Sequence, residues 1–384
     1  MEKKQVRPAS AHKKSAFQAY WSKRGSKLGY ASGWSRGYHL GRSQAIVKKL
    51  AASAGLQSIR DLHVLFVVEA YEGGQFHDPI NQGIIKGLQA QVRKVSVASP
   101  VDNVAKQAKA LQPDLVMVLN GIFHLQIEQV NEIRMSGIKT CVWITEDPYF
   151  IDITLLKAPH YDYVFTHELG ALPYYQKAGC QQVHYLPLAV NDAMFRPRQV
   201  SPKYNRDICF IGTAFWNRVR FFDAISPYLS KKKTFISGLL WNRMSHYKKL
   251  GSKVSLERCM SPEQTSAYYN ASSIVINLHR SHEDSQHNHN RNGIRALSIN
   301  PRTFDICACG ALQLTDSRDD LTTFYTPGQE IVTYSSPEEL VSKCEYYLKH
   351  EDERREIALR GLQRTMSEHT YTKRLSRLLS IIFG

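Results

Sequence analysis

The chain has 384 residues, of which 43% are hydrophobic, so it is long enough for two domains of ordinary size with a core in each. It contains no apolar run of membrane-spanning length, and its first residues lack the apolar segment and cleavage site of a secretory signal. The seven cysteines include no Cys-x-x-Cys pair, which supports neither a disulfide framework nor a zinc knuckle. We therefore expect a reduced, cytoplasmic protein.

The net charge of +16 is concentrated in residues 1–60. This segment contains thirteen Lys or Arg residues and one acid, whereas the rest of the chain contains 37 bases and 33 acids. We interpret residues 1–60 as a basic extension outside the folded body. Such a segment is either a solvated tail or an arm that contacts an anionic polymer.

Glycine recurs at every fourth position from residue 25 to residue 41, and Tyr30, Trp34 and Tyr38 recur in step. A helix would present a glycine stripe beside an aromatic stripe, a surface suited to close packing against another helix. Each glycine costs about 1 kcal/mol in an exposed helix. The segment therefore either forms a helix against a partner, which includes self-association, or stays irregular.

From residue 61 to residue 195, short apolar segments alternate with longer amphipathic ones. This pattern is typical of parallel strands connected by helices. The predicted strands are 63–70, 92–98, 115–119, 139–145, 161–166 and 183–186, and the predicted helices are 79–91, 101–111, 125–136 and 173–177.

Residues 191–205 contain prolines and charges and predict a linker, after which the alternation restarts. The predicted strands are 207–211, 234–237, 253–256, 274–278, 311–315 and 330–334, and the predicted helices are 218–229, 262–271, 302–309 and a helical region from 336 almost to the end. We predict an α/β protein with two Rossmann-like domains, 61–195 and 196–350, closed by C-terminal helices at 351–384 that pack back. Ligands of such sheets bind outside the carboxyl ends of the strands.

The most informative segment runs from residue 300 to residue 314. Arg302 and Asp305 are three residues apart, so they project from the same face of a helix that Gly310 is expected to end. A guanidinium can bind phosphate with two hydrogen bonds, and a carboxylate can accept hydrogen bonds from ribose hydroxyls. The alternative is an Arg–Asp pair that caps an ordinary helix.

An ordered set of motifs across residues 62–384 resembles the CgeB-like family of spore-maturation proteins of the glycosyltransferase type. The motifs are Trp143-Ile-Thr-Glu-Asp-Pro, Tyr161-Asp-Tyr-Val-Phe-Thr, Leu186-Pro-Leu-Ala, Asp207-Ile-Cys-Phe-Ile-Gly, Arg302-Thr-Phe-Asp-Ile-Cys-Ala-Cys-Gly, Glu330-Ile-Val-Thr-Tyr, Tyr346-Tyr-Leu-Lys-His-Glu and His369-Thr-Tyr. The resemblance implies a GT-B architecture, with two Rossmann-like domains facing across a cleft. It also implies a nucleotide-sugar donor held mainly by the C-terminal domain and an acceptor held by the N-terminal domain.

The resemblance places Asp305 where related enzymes usually have a glutamate that binds the donor ribose. Many retaining members have a second acid eight residues upstream, and here that position is Leu297. Asn292, Asn300 or Arg302 are the candidates to substitute for it. This departure leaves open the sugar that is transferred and whether the chain is active.

The predicted nucleotide-sugar-binding set extends beyond the Arg302–Asp305 pair. Gly212 follows a strand and precedes a helix, so backbone N–H groups can face the diphosphate there. Arg218 in the first turn of that helix adds charge, unless it is an ordinary surface arginine. The full set is Gly212, Arg218, Asn277, Asn300, Arg302, Asp305 and Gly310.

On the acceptor side, Asp147 and His167 each follow a predicted strand and are the candidate catalytic residues. The alternative for Asp147 is an Asp-Pro turn. Glu72, Gly73 and Gly74 form the predicted acceptor-side loop.

Residues 279–292 form a polar loop with four histidines and two acids, but little in it would fix a metal-binding geometry. We expect neither a metal nor another cofactor, and we interpret the loop as a mobile cover over the donor phosphates.

We predict a glycosyltransferase that moves a sugar from a nucleotide diphosphate-sugar to a hydroxyl of a glycan or protein acceptor. By resemblance, the setting is formation of a spore-surface or related glycan, in the mother-cell cytoplasm or at the spore surface. The alternative is a non-catalytic spore coat or assembly protein that retains the fold.

Overall fold

The computed structural model describes residues 10–53, 58–68, 79–256 and 260–384. The first of its two sheets has six strands, and every neighbouring pair is parallel. The strands are β1 (Arg60–Val67), β2 (Val92–Ala98), β3 (Leu115–Leu119), β4 (Lys139–Ile144), β5 (Tyr163–Thr166) and β6 (Val183–Tyr185). They lie in the order β2-β1-β3-β4-β5-β6. Strand β2 is therefore the edge next to β1, and β3 to β6 follow in sequence on the other side of β1.

The second sheet also has six parallel strands. They are β7 (Arg206–Ile211), β8 (Thr234–Ser237), β9 (Val254–Ser255), β10 (Ser272–Asn277), β11 (Leu312–Asp316) and β12 (Val332–Tyr334). Their order is β12-β11-β10-β7-β8-β9. In such a sheet the strand order reverses at a central pair, here β7 and β10, where ligands of open α/β sheets bind at the carboxyl ends.

Helices cover both sheets. In the first half they are α1 (Ser10–Ser53), α2 (Pro79–Gln89), α3 (Val104–Leu111), α4 (Ile127–Met135), α5 (Ile151–Lys157) and α6 (Leu172–Lys177). In the second half they are α7 (Trp216–Leu229), α8 (Tyr247–Leu250), α9 (Pro262–Ala271), α10 (Arg302–Ala308), α11 (Leu321–Phe324), α12 (Pro337–Lys349), α13 (Glu351–Glu368) and α14 (Tyr371–Phe383). None of the helices in the described ranges is both long and apolar enough to cross a membrane.

The apolar strands are buried because each sheet carries helices on both faces. In β1, Leu65 and Val67 belong to one hydrophobic cluster, whereas Val64 and Phe66 belong to another. Alternate side chains of a strand point to opposite faces, so each set packs against a different helical layer. This double burial produces the uninterrupted apolar runs that the sequence shows.

The predicted fold class, a GT-B arrangement of two parallel α/β units, is confirmed. Most predicted elements occur within a few residues of their expected bounds; the short helices α5, α8 and α11 were not predicted. Residues 69–70 of the first predicted strand lie outside the described residues. The positions of the domain boundaries and the acceptor and donor roles of the two halves stay predictions.

The last helix crosses back to the first sheet. Tyr371, Leu375 and Leu378 of α14 are buried in the same cluster as Phe66 of β1 and Ile84 of α2. Helix α13, in contrast, packs on α10 of the second half of the chain and on the N-terminal helix α1. The two C-terminal helices therefore tie the halves together.

The glycine-rich segment is helical and lies within α1. Its second half is fixed to α13, where Arg42 forms an ion pair with Glu356 and Arg355 donates to the carbonyl of Ser35 at 2.7 Å. The glycines from 25 to 41 have no other atom of the described chain within 4 Å of an added Cβ, and Trp34 and Tyr38 stack in solvent with their rings 5.4 Å apart. Binding of an anionic polymer or a second copy by α1 stays a prediction.

We predict that Gly83→Ala lowers the free energy of unfolding by about 1–3 kcal/mol, although alanine is the better helix former. Gly83 lies in α2, and an added Cβ would overlap the ring of Tyr371 in α14. Urea unfolding of the full chain measures the change. The control is Gln89→Ala, an exposed position on the same helix, and equal stability of the two variants would contradict close α2–α14 packing.

Candidate functional site

Two arginines meet a glycine at the carboxyl end of β7. A Cβ on Gly212 would lie 2.8 Å from Nη2 of Arg302 and 3.2 Å from Nη1 of Arg218. Only a residue without a side chain allows both guanidinium groups to lie this close to the backbone. The structure thus brings together three residues that the sequence predicted as diphosphate ligands.

Arg218 is buried and is used partly for structure. Its Nε donates to the carbonyl of Leu278 at 2.9 Å and its Nη1 donates to the carbonyl of Thr213 at 2.9 Å. Burial, followed by the positive charge of Arg302, lowers the pKa of Arg218 to about 9, so it is still charged at neutral pH. The prediction of a surface arginine is wrong for Arg218, whereas Arg220 two residues later is exposed.

Helix α10 presents Arg302 and Asp305 on its accessible side. The other five residues of the helix are buried, and only these two are partly exposed. The cation lies at the first turn, next to Gly212, and the carboxylate lies one turn further. The predicted shared face is therefore present, and it borders the loop after β7.

Asn277 and Asn300 position Arg302. Asn277 is fully buried, and its amide nitrogen lies 3.0 Å from Thr303 Oγ1 and 2.8 Å from Gln313 Oε1. Its Oδ1 accepts from Asn300 Nδ2 at 3.0 Å and from Arg302 Nη1 at 3.3 Å. The predicted ligand role of Asn277 is therefore corrected: a fully buried amide cannot contact a sugar, but it fixes the start of α10.

A neutral histidine supports the same turn. His279 Nδ1 lies 2.6 Å from Asp316 Oδ1, and the backbone N–H of Asn300 donates to His279 Nε2 at 3.1 Å. Because a backbone N–H can only donate, the proton of the ring must lie on Nδ1. Burial lowers the pKa of His279, which keeps this tautomer neutral. The sequence analysis had placed His279 in a mobile polar loop, and no local pattern marked its pairing with Asp316.

The polar loop after β10 is attached to the first half of the chain. The N–H of His289 donates to the carbonyl of Tyr149 at 2.7 Å, and the N–H of Asp152 donates to the carbonyl of His289 at 3.0 Å. The guanidinium of Arg280 lies between two rings, 4.4 Å from that of Tyr149 and 4.1 Å from that of Phe215. In the part of the chain that the structure describes, no three His, Cys, Asp or Glu side chains are arranged to hold a metal.

Glu168 joins the two halves of the chain. Its Oε1 accepts from the backbone N–H of Leu297 at 2.8 Å, its Oε2 accepts from that of Ser298 at 3.3 Å, and its side chain is 1% exposed. Burial raises the pKa of Glu168 to about 7. The carboxylate thus binds the backbone at Leu297, where many related enzymes have an acid. The sequence analysis missed Glu168, because nothing in the sequence indicates its partner 129 residues away.

The predicted catalytic residues Asp147 and His167 are both buried, which corrects that prediction. The carboxylate of Asp147 is fully enclosed and accepts hydrogen bonds from Thr166 Oγ1 at 2.7 Å and from the hydroxyl of Tyr175 at 2.9 Å. The Nε2–H of His167 donates to the carbonyl of Asp147 at 2.9 Å, and burial lowers the pKa of His167 to about 4. Both residues follow strands as expected, but their side chains point into the protein and cannot reach an acceptor.

Gly310 is also misplaced in the predicted donor site. It follows α10 with φ +70°, as expected for a helix stop, but it precedes β11 and lies at the amino ends of the strands. Its carbonyl accepts from Nε2 of His39 in α1 at 2.9 Å. The donor site can therefore not include Gly310. The predicted acceptor-side loop, Glu72, Gly73 and Gly74, lies outside the described residues.

Comparison with known proteins agrees with this geometry. Residues 218–380, which include Arg218, Arg302 and Asp305, match the family model described as glycosyl transferase-like. The chain is 31% identical over 281 residues to Spore protein CgeB of Bacillus subtilis (strain 168), an alignment that covers 71% of this chain and 84% of that protein. The chain belongs to the CgeB family of glycosyltransferases.

Solved structures share the fold of this CgeB-family protein at low sequence identity. HepE of Anabaena, determined with UDP-glucose, has a TM-score of 0.57 at 10% identity, covering 83% of this chain and 99% of that one. A glycosyltransferase from Rickettsia africae has a TM-score of 0.56 at 12% identity, covering 84% and 99%. These likenesses establish the GT-B fold of the CgeB-family chain.

We predict that Asp147→Asn leaves glycosyl transfer by this CgeB-family protein intact and changes only the pH dependence of its stability. Burial raises the pKa of Asp147 from 3.8 to about 6, so between these values the folded state binds the proton more tightly than the unfolded state. The free energy of unfolding therefore falls as pH rises through this window, by at most about 3 kcal/mol.

Urea unfolding at pH 4 to 7 measures this dependence. The free energy of unfolding of the asparagine variant should fall less with pH, because the variant lacks the titrating carboxyl of residue 147. Thr166 and Tyr175 can turn their hydroxyls toward a neutral amide, so the variant is expected to fold. A loss of turnover with unchanged stability would return Asp147 to the catalytic residues.

Proposed function

We propose that the protein transfers a sugar from a nucleoside diphosphate sugar, bound at Gly212, Arg302 and Asp305, to an acceptor hydroxyl. The observation that carries this proposal is the position of two guanidinium groups beside Gly212, at 2.8 and 3.2 Å from where its Cβ would lie. A diphosphate at this edge of the sheet would meet the charges of Arg218 and Arg302 together. The complex of the similarly folded HepE with UDP-glucose supports the same class of donor.

Asp305 is the proposed ribose ligand. It lies one helical turn from Arg302 on the accessible side of α10, and that spacing suits the distance between the diphosphate and the ribose hydroxyls of one nucleotide. The shorter side chain of aspartate requires the ribose to approach the helix closely, or a bridging water.

A bound metal is not required in this proposal. The developing negative charge on the leaving diphosphate would be stabilised by Arg302 and by Arg218, whose side chain is already fixed by two backbone carbonyls. Groups that are held in place before the reaction stabilise a transition state without reorganisation. The buried Asn277 and the neutral His279 contribute by fixing the turn that carries Arg302.

Glu146 is the proposed acceptor-side carboxylate. It lies two residues after the end of β4 and is partly exposed, whereas its neighbour Asp147 is fully buried. Its negative charge acts on Arg280, whose guanidinium lies between Tyr149 of the first half and Phe215 of the second. Glu146 therefore lies where the two halves meet and can orient or deprotonate an acceptor hydroxyl.

The biological setting that we propose is the formation of a spore-surface glycan. The relationship to Spore protein CgeB supports this setting.

We predict that Arg302→Ala weakens binding of UDP by about 10- to 100-fold, because the lost hydrogen bonds to phosphate are charge-assisted and each contributes about 1.5–3 kcal/mol. Asp305→Ala should weaken it by about tenfold through loss of the ribose contacts. Isothermal titration calorimetry with UDP, GDP, CDP and TDP measures these changes and identifies the base. Arg220→Ala, an exposed arginine on α7, is the matched control; equal effects of all three substitutions would contradict the site.

We predict that Glu146→Gln lowers kcat by about 100-fold or more and leaves the affinity for the nucleotide diphosphate unchanged, because the substitution removes a base but keeps the shape of the side chain. Donor turnover in the presence of acceptor measures kcat. Unchanged turnover would show that the acceptor is activated elsewhere.

A further inference from the structure

A cavity lies at the amino ends of the strands of the second sheet, whereas the proposed donor site lies at their carboxyl ends. It has a volume of about 770 Å³ and is enclosed by α1, α13 and the amino ends of β7, β10 and β11. The loop after β7 and the start of α10 lie at the other ends of these strands, so the length of the strands separates the cavity from Arg302 and Gly212. A small molecule of ordinary size fits such a volume.

Helix α1 is required to form this cavity. Gly33, Gly37 and His39 of α1 belong to its wall, and the hydrogen bond from His39 to the carbonyl of Gly310 holds the helix at the base of the sheet. An added Cβ on Gly33 or Gly37 would meet no other atom of the described chain. Larger side chains at these positions would fill the opening of the cavity, and the glycines keep it open.

The wall of the cavity carries an excess of positive charge. Five cationic side chains border it, against the two carboxylates of Asp207 and Glu351. The cations are Arg36, Arg198, Lys232, Arg354 and Arg355.

Two of these guanidinium groups share one carboxylate, and a third lies near them. Oε1 of Glu351 pairs with Arg355 at 2.6 Å and with Arg354 at 3.6 Å, while the exposed Arg36 lies near both. Burial lowers the pKa of Arg354 and Arg355, and the charge of Arg36 lowers it further. The cations of the wall outnumber its carboxylates, so the cavity can attract an additional anion.

The remaining wall is suited to hydroxyl groups. Gln199, Asn205 and Ser273 contribute amide and hydroxyl groups, and no Phe, Tyr or Trp is found among the described residues that border the cavity. A nucleobase would lack the large ring of a Phe, Tyr or Trp to stack on, whereas hydroxyls of a sugar would find donors and acceptors.

We propose that this cavity is a binding site for a sugar phosphate, whose phosphate contacts Arg36, Arg354 and Arg355 and whose hydroxyls contact the amide side of the wall. The basic N-terminal helix α1 forms one wall of the cavity, so it is part of this binding site. This site is independent of the proposed donor site and requires no nucleotide.

Isothermal titration calorimetry of the full chain tests the proposal, with glucose 1-phosphate as the probe. Wild-type protein should bind it saturably and should not bind glucose. Arg36→Glu should weaken binding at least tenfold, because it reverses a charge without removing a buried side chain. Gly37→Leu should weaken it equally, because the new side chain enters the cavity and at the same time favours the helix.

Two control substitutions lie on the same helix away from the cavity. Lys27→Glu repeats the charge change and Gly29→Leu repeats the increase in size, and both should change affinity by less than twofold. Circular dichroism melting verifies that each variant is folded.

The Arg302→Ala variant distinguishes this site from the donor site, since it should retain full affinity for glucose 1-phosphate. Failure of the protein to bind any nucleotide diphosphate would therefore leave this result unaffected. Loss of binding in Arg302→Ala, wild-type affinity in Arg36→Glu, or equal affinity for inorganic phosphate would each overturn the proposal.

Discussion

The site depends on one buried carboxylate that joins the two halves of the chain. Glu168 follows β5 of the first sheet and accepts hydrogen bonds from the backbone of Leu297 and Ser298 in the second half. Two residues later, the side-chain amide of Asn300 donates to Oδ1 of Asn277, and the backbone N–H of Asn300 donates to the neutral His279. A displacement of the 297–300 backbone would therefore move Arg302 away from Gly212, because only Pro301 separates Asn300 from Arg302.

This arrangement explains how a charged cluster is kept in place without a bound ligand. Arg218 donates hydrogen bonds to the carbonyls of Thr213 and Leu278, and Arg302 donates one to the amide oxygen of Asn277. Neutral acceptors hold a guanidinium in position but do not cancel its charge. The two cations therefore remain able to attract an anion, as a diphosphate site requires, whereas direct ion pairs would have reduced that attraction.

The sequence indicated much of the site because some of its chemistry is local. Arg302 and Asp305 are one helical turn apart, so their common face follows from helix geometry alone, and Gly212 was recognisable from its place after a strand. Asp147 and His167 were misassigned because each follows a strand as predicted but its side chain points into the protein. Gly310 was misassigned because it ends α10 at the amino ends of the strands, away from the donor site. Glu168 and His279 could not be found, since their partners are distant in sequence.

The sequence by itself determined the alternation of strands and helices, the two parallel sheets and the family, because these follow from hydrophobic periodicity and from motifs read in order. Only the tertiary structure decided which polar groups are accessible to a ligand. The neighbours Glu146 and Asp147 are both acids after the same strand, and one is partly exposed while the other is enclosed by hydroxyls of Thr154, Thr166 and Tyr175. The side chain of a residue after a strand can turn either way, and the packing of the surrounding helices selects the direction.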